Sequence, residues 1–563
     1  MQVKKKIILS ILLAIIAGLY SINYFRNVHT ISTSGDIAFH FARVKGLSSI
    51  FSGPINFTTF NHYGSGVNYF YPYLTFFPAV IFYWISNNLI VSYILYVWLL
   101  NVCTIMLMFH YGLKFLKRID AAFIFSCLYT FYGYRTIDIY HRSAIAEAIA
   151  LTVIPIVMYY AYALIYEKKP CAIPLAVSMS LLIYTHVLST FMSVIAVGLL
   201  VLGGFVVSET RKKESIRLIV ELSKAVGMTI LLTAYFWYPM FRQIMVQSIN
   251  EPDKTTLQHQ ALNVSDSLIG AMNNDLTTFT VGIIGIISLI CPLFFFKRFN
   301  RKEKVIYLSA VVSWLLSTKF FPWSLLQNTP IQMIQFPWRI LGFQVLFGSL
   351  ILSFVFMKST SAKQRKVVNI TTIVLLLLAV SAATKANYEH KVVTQRDHLV
   401  MNQENLIRYT TLLPGGLYDY APTEALQYKE HLQNHEVRIG KEWHTMPYQV
   451  MDSKIVYTVH ESKGQKITLP VFDYWGTVAK VNGQKREIVN SEGLVSIEGT
   501  QGETIIEVSS IYPPTMKLAF LISLCSYLFL LISFLIRKSS PDSCVKCYTM
   551  FLPFLLIKID VFS

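Results

Sequence analysis

The sequence predicts a polytopic α-helical membrane protein with a small β-rich domain near its C-terminal end. Hydrophobic residues make up 54% of the 563 residues and charged residues only 14%, which is far more apolar than an ordinary soluble protein. The apolar residues are grouped in runs of about the length that crosses a bilayer. A polar stretch between about residues 390 and 512 alternates instead with the two-residue period of β-strands.

Twelve apolar runs are long enough, or nearly long enough, to cross a bilayer as helices. Their approximate bounds are 7–25, 89–111, 120–137, 145–166, 172–187, 188–206, 218–238, 279–296, 305–321, 338–357, 368–385 and 516–536. The first run follows Lys4, Lys5 and Lys6, and no small-residue cleavage motif closes it. It therefore predicts an uncleaved membrane anchor.

The basic residues predict the membrane topology. The net charge of +18 does not indicate a nucleic-acid partner, because Lys and Arg form short clusters between apolar runs. With the N-terminus in the cytoplasm, strict alternation places each later cluster there too: residues 114–118, 168–169, 211–213, 297–304, 363–366 and 537–538. This agreement requires the apolar run at about 72–86 not to span, so we predict that it lies in or dips into the outer interface.

This topology divides the chain into three predicted parts. Residues 1–385 are predicted to form a transmembrane module with an outer first loop at 26–88. Residues 386–515 form an extracytoplasmic, mostly-β domain, and residues 516–563 form the last membrane helix and a cytoplasmic tail. Within the β domain, strands are predicted at 454–460, 466–472, 476–481, 494–498 and 504–509. The Asn482-Gly483 hairpin turn and this spacing predict a small β-sandwich.

Ionisable residues beside the apolar runs concentrate on the predicted outer side. Charges at that depth usually mark a cavity or a reaction site. The candidate residues are Asp36, His40, Arg43, His62, His141, Arg142, Glu147, His186 and Arg339, with Asp138 beside Arg142 and Gln335 beside Arg339.

Asp36, His40 and Arg43 are the candidate catalytic residues. Their spacing of i, i+4 and i+7 places all three on one face of a short helix. Asp36 is suited to act as a general base toward a hydroxyl acceptor or as a ligand for a divalent cation. The alternative is that Asp36 is a helix N-cap, since it opens the helix and Asp is a preferred capping residue.

The remaining candidates are predicted to bind substrate, each with a structural alternative. Arg142 and Arg339 present donors that suit a phosphate or pyrophosphate, but an arginine at a helix end also reaches for lipid phosphates. Glu147 is predicted to form an ion pair with an arginine, or else to be protonated. A lone histidine in a tight turn, such as His186, is often a hydrogen-bonded turn residue. The chain has no nucleotide-binding fingerprint in a suitable context, so no nucleotide cofactor is predicted.

Several motifs together resemble the bacterial integral membrane family labelled 6-pyruvoyl-tetrahydropterin synthase-related. The motifs are residues 35–43, 70–73, 140–142 with Ala146-Glu147, the Pro155 segment, Thr185-His186 and 335–339. The resemblance runs from about residue 10 to 345 and, more loosely, through Tyr418-Asp419-Tyr420 and the Asn482-Gly483 hairpin. The label does not imply pterin synthase activity, because no His-x-His zinc motif is present. The family is similar to multi-spanning glycosyltransferases of the GT-C fold.

The resemblance implies a bacterial plasma-membrane transferase that works at the outer face. Its donor would be a polyprenyl-phosphate-linked sugar and its acceptor a cell-envelope glycan or polymer. Asp36 matches the first-loop acid of such enzymes, which acts as a catalytic base or a metal-site acid. Several relatives carry an acidic pair where this chain has one Asp, so a divalent cation is left open. A transporter or flippase of lipid-linked glycans and a non-catalytic membrane scaffold are the alternative functions.

Overall fold

The computed structural model describes residues 2–359 and 400–538, apart from 24, 26–27, 33–34, 208–211, 253, 274, 276, 413–417, 452, 461 and 463. The predicted span at 368–385, the basic cluster at 363–366 and the tail at 544–563 lie outside the described residues.

Helices dominate the chain up to residue 359. They are α1 (Gln2–Asn23), α2 (Ile37–Leu47), α3 (Phe77–Ser86), α4 (Leu89–Leu116), α5 (Ile119–Thr130), α6 (Ile145–Ile165), α7 (Ala172–Ile183), α8 (Val187–Val207), α9 (Lys212–Leu232), α10 (Ala234–Val246), α11 (Val264–Met272), α12 (Gly282–Ile290), α13 (Arg301–Leu316) and α14 (Leu341–Ser359), with α15 (Gln403–Thr411) and α16 (Pro514–Lys538) further along.

Five helices in the described part of the chain are long and apolar enough to cross a membrane: α4, α6, α8, α14 and α16. A sixth span is possible if α9 and α10, which meet at a 72° bend, count as one crossing. Twelve spans were predicted from hydropathy. The predicted span at 368–385 lies outside the described residues, and other apolar runs fold as short or interrupted helices, as at α5, α7 and α12.

The apolar run at about 72–86 forms a 3₁₀ turn at Leu74–Phe76 followed by α3. This helix has ten residues and is therefore about 15 Å long, which is too short for a hydrocarbon core of about 30 Å. The solvent-exposed side chains of Ile81, Trp84 and Ile85 form its apolar surface.

The C-terminal β-rich region is confirmed. Its strands are β3 (Glu436–Ile439), β4 (Glu442–Thr445), β5 (Tyr448–Met451), β6 (Lys454–His460), β7 (Lys466–Phe472), β8 (Thr477–Val481), β9 (Gln484–Arg486), β10 (Val489–Ser491), β11 (Leu494–Glu498) and β12 (Glu503–Ser510), after the short β1 (Thr30–Ser32) and β2 (Val400–Asn402). Two five-stranded antiparallel sheets have the orders β10-β11-β7-β3-β4 and β5-β6-β12-β8-β9. Strand β6 alternates buried and less buried residues, as its two-residue period predicts.

The predicted Asn482-Gly483 hairpin is present between β8 and β9. Val481 pairs with Gln484, so the connection has two residues. Asn482 and Gly483 have φ values of 49° and 81°, the left-handed conformation that matches the twist of the flanking strands.

Later parts of the chain hold the segments on both sides of α2. Before α2, β1 pairs with β2. After α2, Tyr63 and Tyr69 share a hydrophobic cluster with core residues of both sheets. The backbone N–H of Phe472 donates to the carbonyl of Tyr63 at 2.8 Å, and the Tyr69 hydroxyl donates to the carbonyl of Trp475. The position of α2 is therefore fixed partly by residues more than 350 positions away.

Candidate functional site

Helix α2 begins directly on the backbone of Arg142. The backbone N–H of Asp36 donates to the carbonyl of Arg142 at 2.8 Å. Gly35 has a φ of +52°, and a Cβ atom there would lie 1.9 Å from the same carbonyl oxygen. A glycine is therefore required both for the backbone conformation and for the close approach.

Asp36 occupies the N-cap position of α2, but its side chain makes no capping hydrogen bond. Its Oδ2 instead lies 3.8 Å from Nη2 of Arg142, and 49% of the side chain is exposed. Capping, the structural alternative for this residue, is thus not what the geometry shows. The carboxylate is free to reach a molecule in solvent.

Arg142 follows an unusual turn between α5 and α6. A short helix at Gly133–Thr136 continues as a π-helical turn at Ile137–His141, a conformation that is frequent at functional sites. This turn places Asp138 and Arg142 side by side, and Nη1 of Arg142 donates to Oδ1 of Asp138 at 2.9 Å. The indole ring of Trp338 lies 4.7 Å from the guanidinium carbon of Arg142.

Glu147, near the start of α6, joins the two predicted arginines. Its Oε2 accepts from Nη1 of Arg142 at 2.6 Å and from Nε of Arg339 at 3.1 Å. Its Oε1 accepts from the Tyr134 hydroxyl at 2.7 Å. Arg339 also donates to Oε1 of Gln335 at 3.0 Å. Glu147 thus forms the predicted ion pair, and it does so with both Arg142 and Arg339.

We refer to Asp36, Asp138, Arg142, Glu147 and Arg339 as the ion network. Three carboxyl groups share two guanidinium groups, so one negative charge is in excess if all are ionised. Burial, reinforced by the charge of Glu147, raises the pKa of Asp138 well above its usual range. Among the described residues, Oδ2 of Asp138 is buried and has no hydrogen-bond partner. Asp138 is therefore the carboxyl group best placed to hold a proton.

Arg43 and His40 lie in a separate environment, which we call the aromatic cage and which includes Phe39, Tyr71 and Phe76. Nη2 of Arg43 donates to the carbonyls of Tyr71 at 3.1 Å and Pro72 at 2.8 Å. The guanidinium carbon lies 4.4 Å from the ring centre of Tyr71 and 4.8 Å from that of Phe76.

Arg43 is 1% exposed, and it forms no ion pair with any carboxylate in the described residues. Its Nε and Nη1 atoms are buried without a hydrogen-bond partner. Burial lowers the pKa of this arginine to about 10, which leaves it charged at neutral pH.

His40 is buried, and its ring is stacked on Phe76 at 5.3 Å. Burial, with the neighbouring arginine charge, lowers the pKa of His40 well below its usual range, so the ring is neutral at pH 7. The predicted common face of α2 is thus divided. His40 and Arg43 point into the cage, whereas Asp36 faces the ion network.

The other three predicted histidines have different positions. His186 is buried in the turn between α7 and α8, where its Nδ1 lies 2.8 Å from the Ser189 hydroxyl and burial lowers its pKa to about 3. His141 is half-buried in the π-helical turn. His62 lies apart, because its ring packs 6.3 Å from that of His435 in the β-rich region.

Tyr134, Trp338 and the backbone carbonyls of Tyr71 and Pro72 were not among the predicted site residues. Tyr134 reaches Glu147 across the turn between α5 and α6, and Trp338, within the 335–339 motif, stacks on Arg142; neither contact could be predicted from the spacing of the residues. Backbone carbonyls carry no sequence signal at all. A metal centre finds no support in the part of the chain that the structure describes, where no three His, Cys, Asp or Glu side chains could hold a metal ion together.

A family model of the 6-pyruvoyl-tetrahydropterin synthase related domain, a family of membrane proteins, matches residues 67–388. This match covers more than half of the 563 residues. The chain belongs to this family. A comparison with curated proteins found no match. The residues matched by the family model include Arg142, Glu147 and Arg339. Asp36 and Arg43 precede them. The ion network therefore connects the matched segment to the loop before it.

Proposed function

We propose that this member of the 6-pyruvoyl-tetrahydropterin synthase related family is a membrane glycosyltransferase of the GT-C type. It would move a sugar from a polyprenyl-phosphate donor to a cell-envelope glycan or polymer at the extracytoplasmic face of a bacterial plasma membrane. The observation that carries this proposal is Asp36, a half-exposed carboxylate at the edge of an otherwise buried ion network. Buried charges that converge beside membrane helices favour a reaction site over a structural role.

In the proposed reaction, Asp36 takes a proton from the acceptor hydroxyl group. The hydroxyl oxygen then forms a bond with the anomeric carbon of the donor sugar, and the bond from that carbon to the phosphate oxygen breaks. The leaving polyprenyl phosphate carries the negative charge away. The acceptor oxygen attacks from the side opposite the phosphate, so the sugar inverts at the anomeric carbon.

The contacts of the ion network favour different roles for the two predicted phosphate ligands. Arg339 is committed to Glu147, to Gln335 and to the carbonyl of Ile334. Arg142 uses Nη1 for Asp138 and Glu147 and keeps Nη2 on the side of the exposed Asp36. Arg142 is therefore the arginine that we expect to stabilise charge on the leaving phosphate, while Arg339 positions Glu147.

We also propose the topology that the basic clusters predict. Residues 1–385 would form the transmembrane module of a twelve-span protein, and both termini would be cytoplasmic. Residues 386–515 would form an extracytoplasmic sandwich from the two antiparallel sheets, and residues 516–563 the last helix and tail. The short length of α3 supports the part of this topology that keeps residues 72–86 from spanning.

The test is the substitution Asp36→Asn in the full-length protein. Loss of the proton acceptor should reduce sugar incorporation into envelope polymers by about 100-fold or more, with unchanged amounts of protein in the membrane. Asp266→Asn is the matched control, because Asp266 is an exposed acid in the first turn of α11 and should have no effect. Full activity of Asp36→Asn would exclude the proposed base. If deletion of the β-rich region then abolished function, the scaffold alternative would be favoured.

A further inference from the structure

A cavity of about 440 Å³ lies beside the aromatic cage, between α16, the bend that joins α9 to α10, and the segment that leads into α3. This volume is in the range of about 300–1,000 Å³ that is typical of ligand pockets. Its walls include Tyr73, Phe77, Tyr235, Phe236, Phe520 and Leu524.

The hydroxyl groups of Tyr73, Tyr184 and Ser523 at this cavity are engaged within the protein. The Tyr73 hydroxyl donates to that of Tyr235 at 2.9 Å, and the Tyr184 hydroxyl donates to the carbonyl of Leu232 at 3.0 Å. The Ser523 hydroxyl donates to the carbonyl of Leu231 at 3.2 Å. A ligand would therefore meet rings and aliphatic groups, which favours a hydrocarbon over a sugar or another polar molecule.

The rim of the cavity is apolar and exposed. Phe51 is 76% exposed and Leu74 is 47% exposed, and α16 is one of the helices that can cross a membrane. The cavity-lining residues Phe520 and Leu524 belong to the exposed apolar surface of α16, which faces lipid if this helix crosses the membrane. Lys517, an exposed residue near the start of α16, also lines it. Its charge favours an anionic head group at the entrance.

The cavity and the aromatic cage share one wall. The segment at 71–73 contributes Tyr71 to the cage and Tyr73 to the cavity wall. Tyr71 contacts Arg43, and Tyr73 reaches Tyr235 in the cavity wall. Arg43 holds this segment through the carbonyls of Tyr71 and Pro72.

We propose that this cavity binds the hydrocarbon chain of a polyprenyl phosphate that enters from the adjacent leaflet past Lys517. The choice of a polyprenyl phosphate over a phospholipid rests on the proposed function. In this arrangement Arg43 is a positioning residue, because it holds the segment at 71–73, which separates the hydrocarbon chain of the lipid from the ion network.

The experiment uses full-length protein in detergent and a polyprenyl phosphate with a photoactivatable diazirine in its chain. We expect cross-links to peptides that contain Tyr235 or Leu524. Leu524→Trp fills the cavity and should reduce labelling about fivefold or more, whereas Ile522→Trp, on the opposite face of α16, should change it less than about twofold. The two residues are matched, because both are 39% exposed.

Competition identifies the lipid. Unlabelled polyprenyl phosphate should suppress the cross-links, and the same concentration of phosphatidylglycerol should not. Equal labelling of the Leu524→Trp and Ile522→Trp variants would overturn the cavity as the binding site. Equal suppression by phosphatidylglycerol would overturn polyprenyl phosphate as its ligand.

The Asp36→Asn variant separates this inference from the proposed function. It should bind the photoactivatable lipid as the unmodified protein does, because Asp36 is not in the cavity wall. If Asp36→Asn retained sugar transfer while the cavity residues were still labelled, the proposed reaction would fail and the lipid site would stand. If Asp36→Asn lost sugar transfer while Leu524→Trp had no effect on labelling, the lipid site would fail alone.

Discussion

The ion network and the aromatic cage hold buried arginines in opposite ways. Arg142 and Arg339 meet carboxylates, so their charges are cancelled within the protein. Arg43 meets two backbone carbonyls and aromatic rings, which stabilise a cation without cancelling its charge. The aromatic cage therefore leaves the positive charge of Arg43 uncompensated, on a different side of α2 from the exposed Asp36. A site for a phosphate-bearing substrate benefits from such a charge, whereas a purely structural network does not need it.

The two environments also differ in what a single substitution leaves behind. Removal of one member of a buried ion pair strands the other charge, which is strongly destabilising. Removal of Arg43 leaves no carboxylate of the described residues unpaired, and it also relieves the cost of keeping a charge away from water. The comparison thus predicts that the ion network governs stability, while the cage mainly governs the position of the segment at 71–73.

Glu147→Gln should have the largest effect on stability. The substitution leaves Arg142 and Arg339 without their shared carboxylate, and we expect a loss of about 3–5 kcal/mol. Thermal unfolding of the purified protein in detergent measures it. Glu251→Gln is the control, since Glu251 forms a surface pair with Lys254 that contributes less than about 1 kcal/mol. Similar losses for both variants would show that the network does not stabilise the fold.

Gly35→Ala should have the next largest effect, because it forces α2 away from the network. The new Cβ atom would overlap the carbonyl of Arg142, at a φ of +52°. We expect a loss of about 2–4 kcal/mol and a strong decrease in sugar transfer. Gly483→Ala tests the conformational part alone, because its φ is +81° and no atom lies within 4 Å of its Cβ position. If the two losses were equal, contact with Arg142 would not matter.

Arg43→Met should have the smallest effect on stability, about 1–2 kcal/mol, since the lost hydrogen bonds are partly offset by the relief of a buried charge. Labelling of the cavity by the photoactivatable lipid should nevertheless fall, because the segment at 71–73 loses its support. Arg43→Lys keeps the charge but not the geometry of the two hydrogen bonds. A stability loss for Arg43→Met as large as that for Glu147→Gln would contradict the distinction between network and cage.

Much of the fold could be predicted from local patterns. The alternation in β6 and β7, together with Asn482-Gly483, predicted the β-rich region because strand period and turn chemistry are local properties. The number of membrane spans is harder to predict from the sequence. Hydropathy shows how apolar a run is but not where its helix breaks, and so it does not report the bend between α9 and α10 or the short length of α5.

The candidate site shows the same division. Sequence alone determined the family, the membrane class and the set of ionisable residues, because composition and motifs are properties of the chain. Tertiary structure decided their partners. Glu147 and Arg339 are 192 positions apart, and an arginine near a membrane has the same sequence signature whether it pairs with a carboxylate, reaches for lipid or sits among aromatic rings. Packing brings Arg142 and Arg339 to Glu147 and, within the described residues, gives Arg43 no carboxylate, since an ion pair depends on distances that no local pattern encodes.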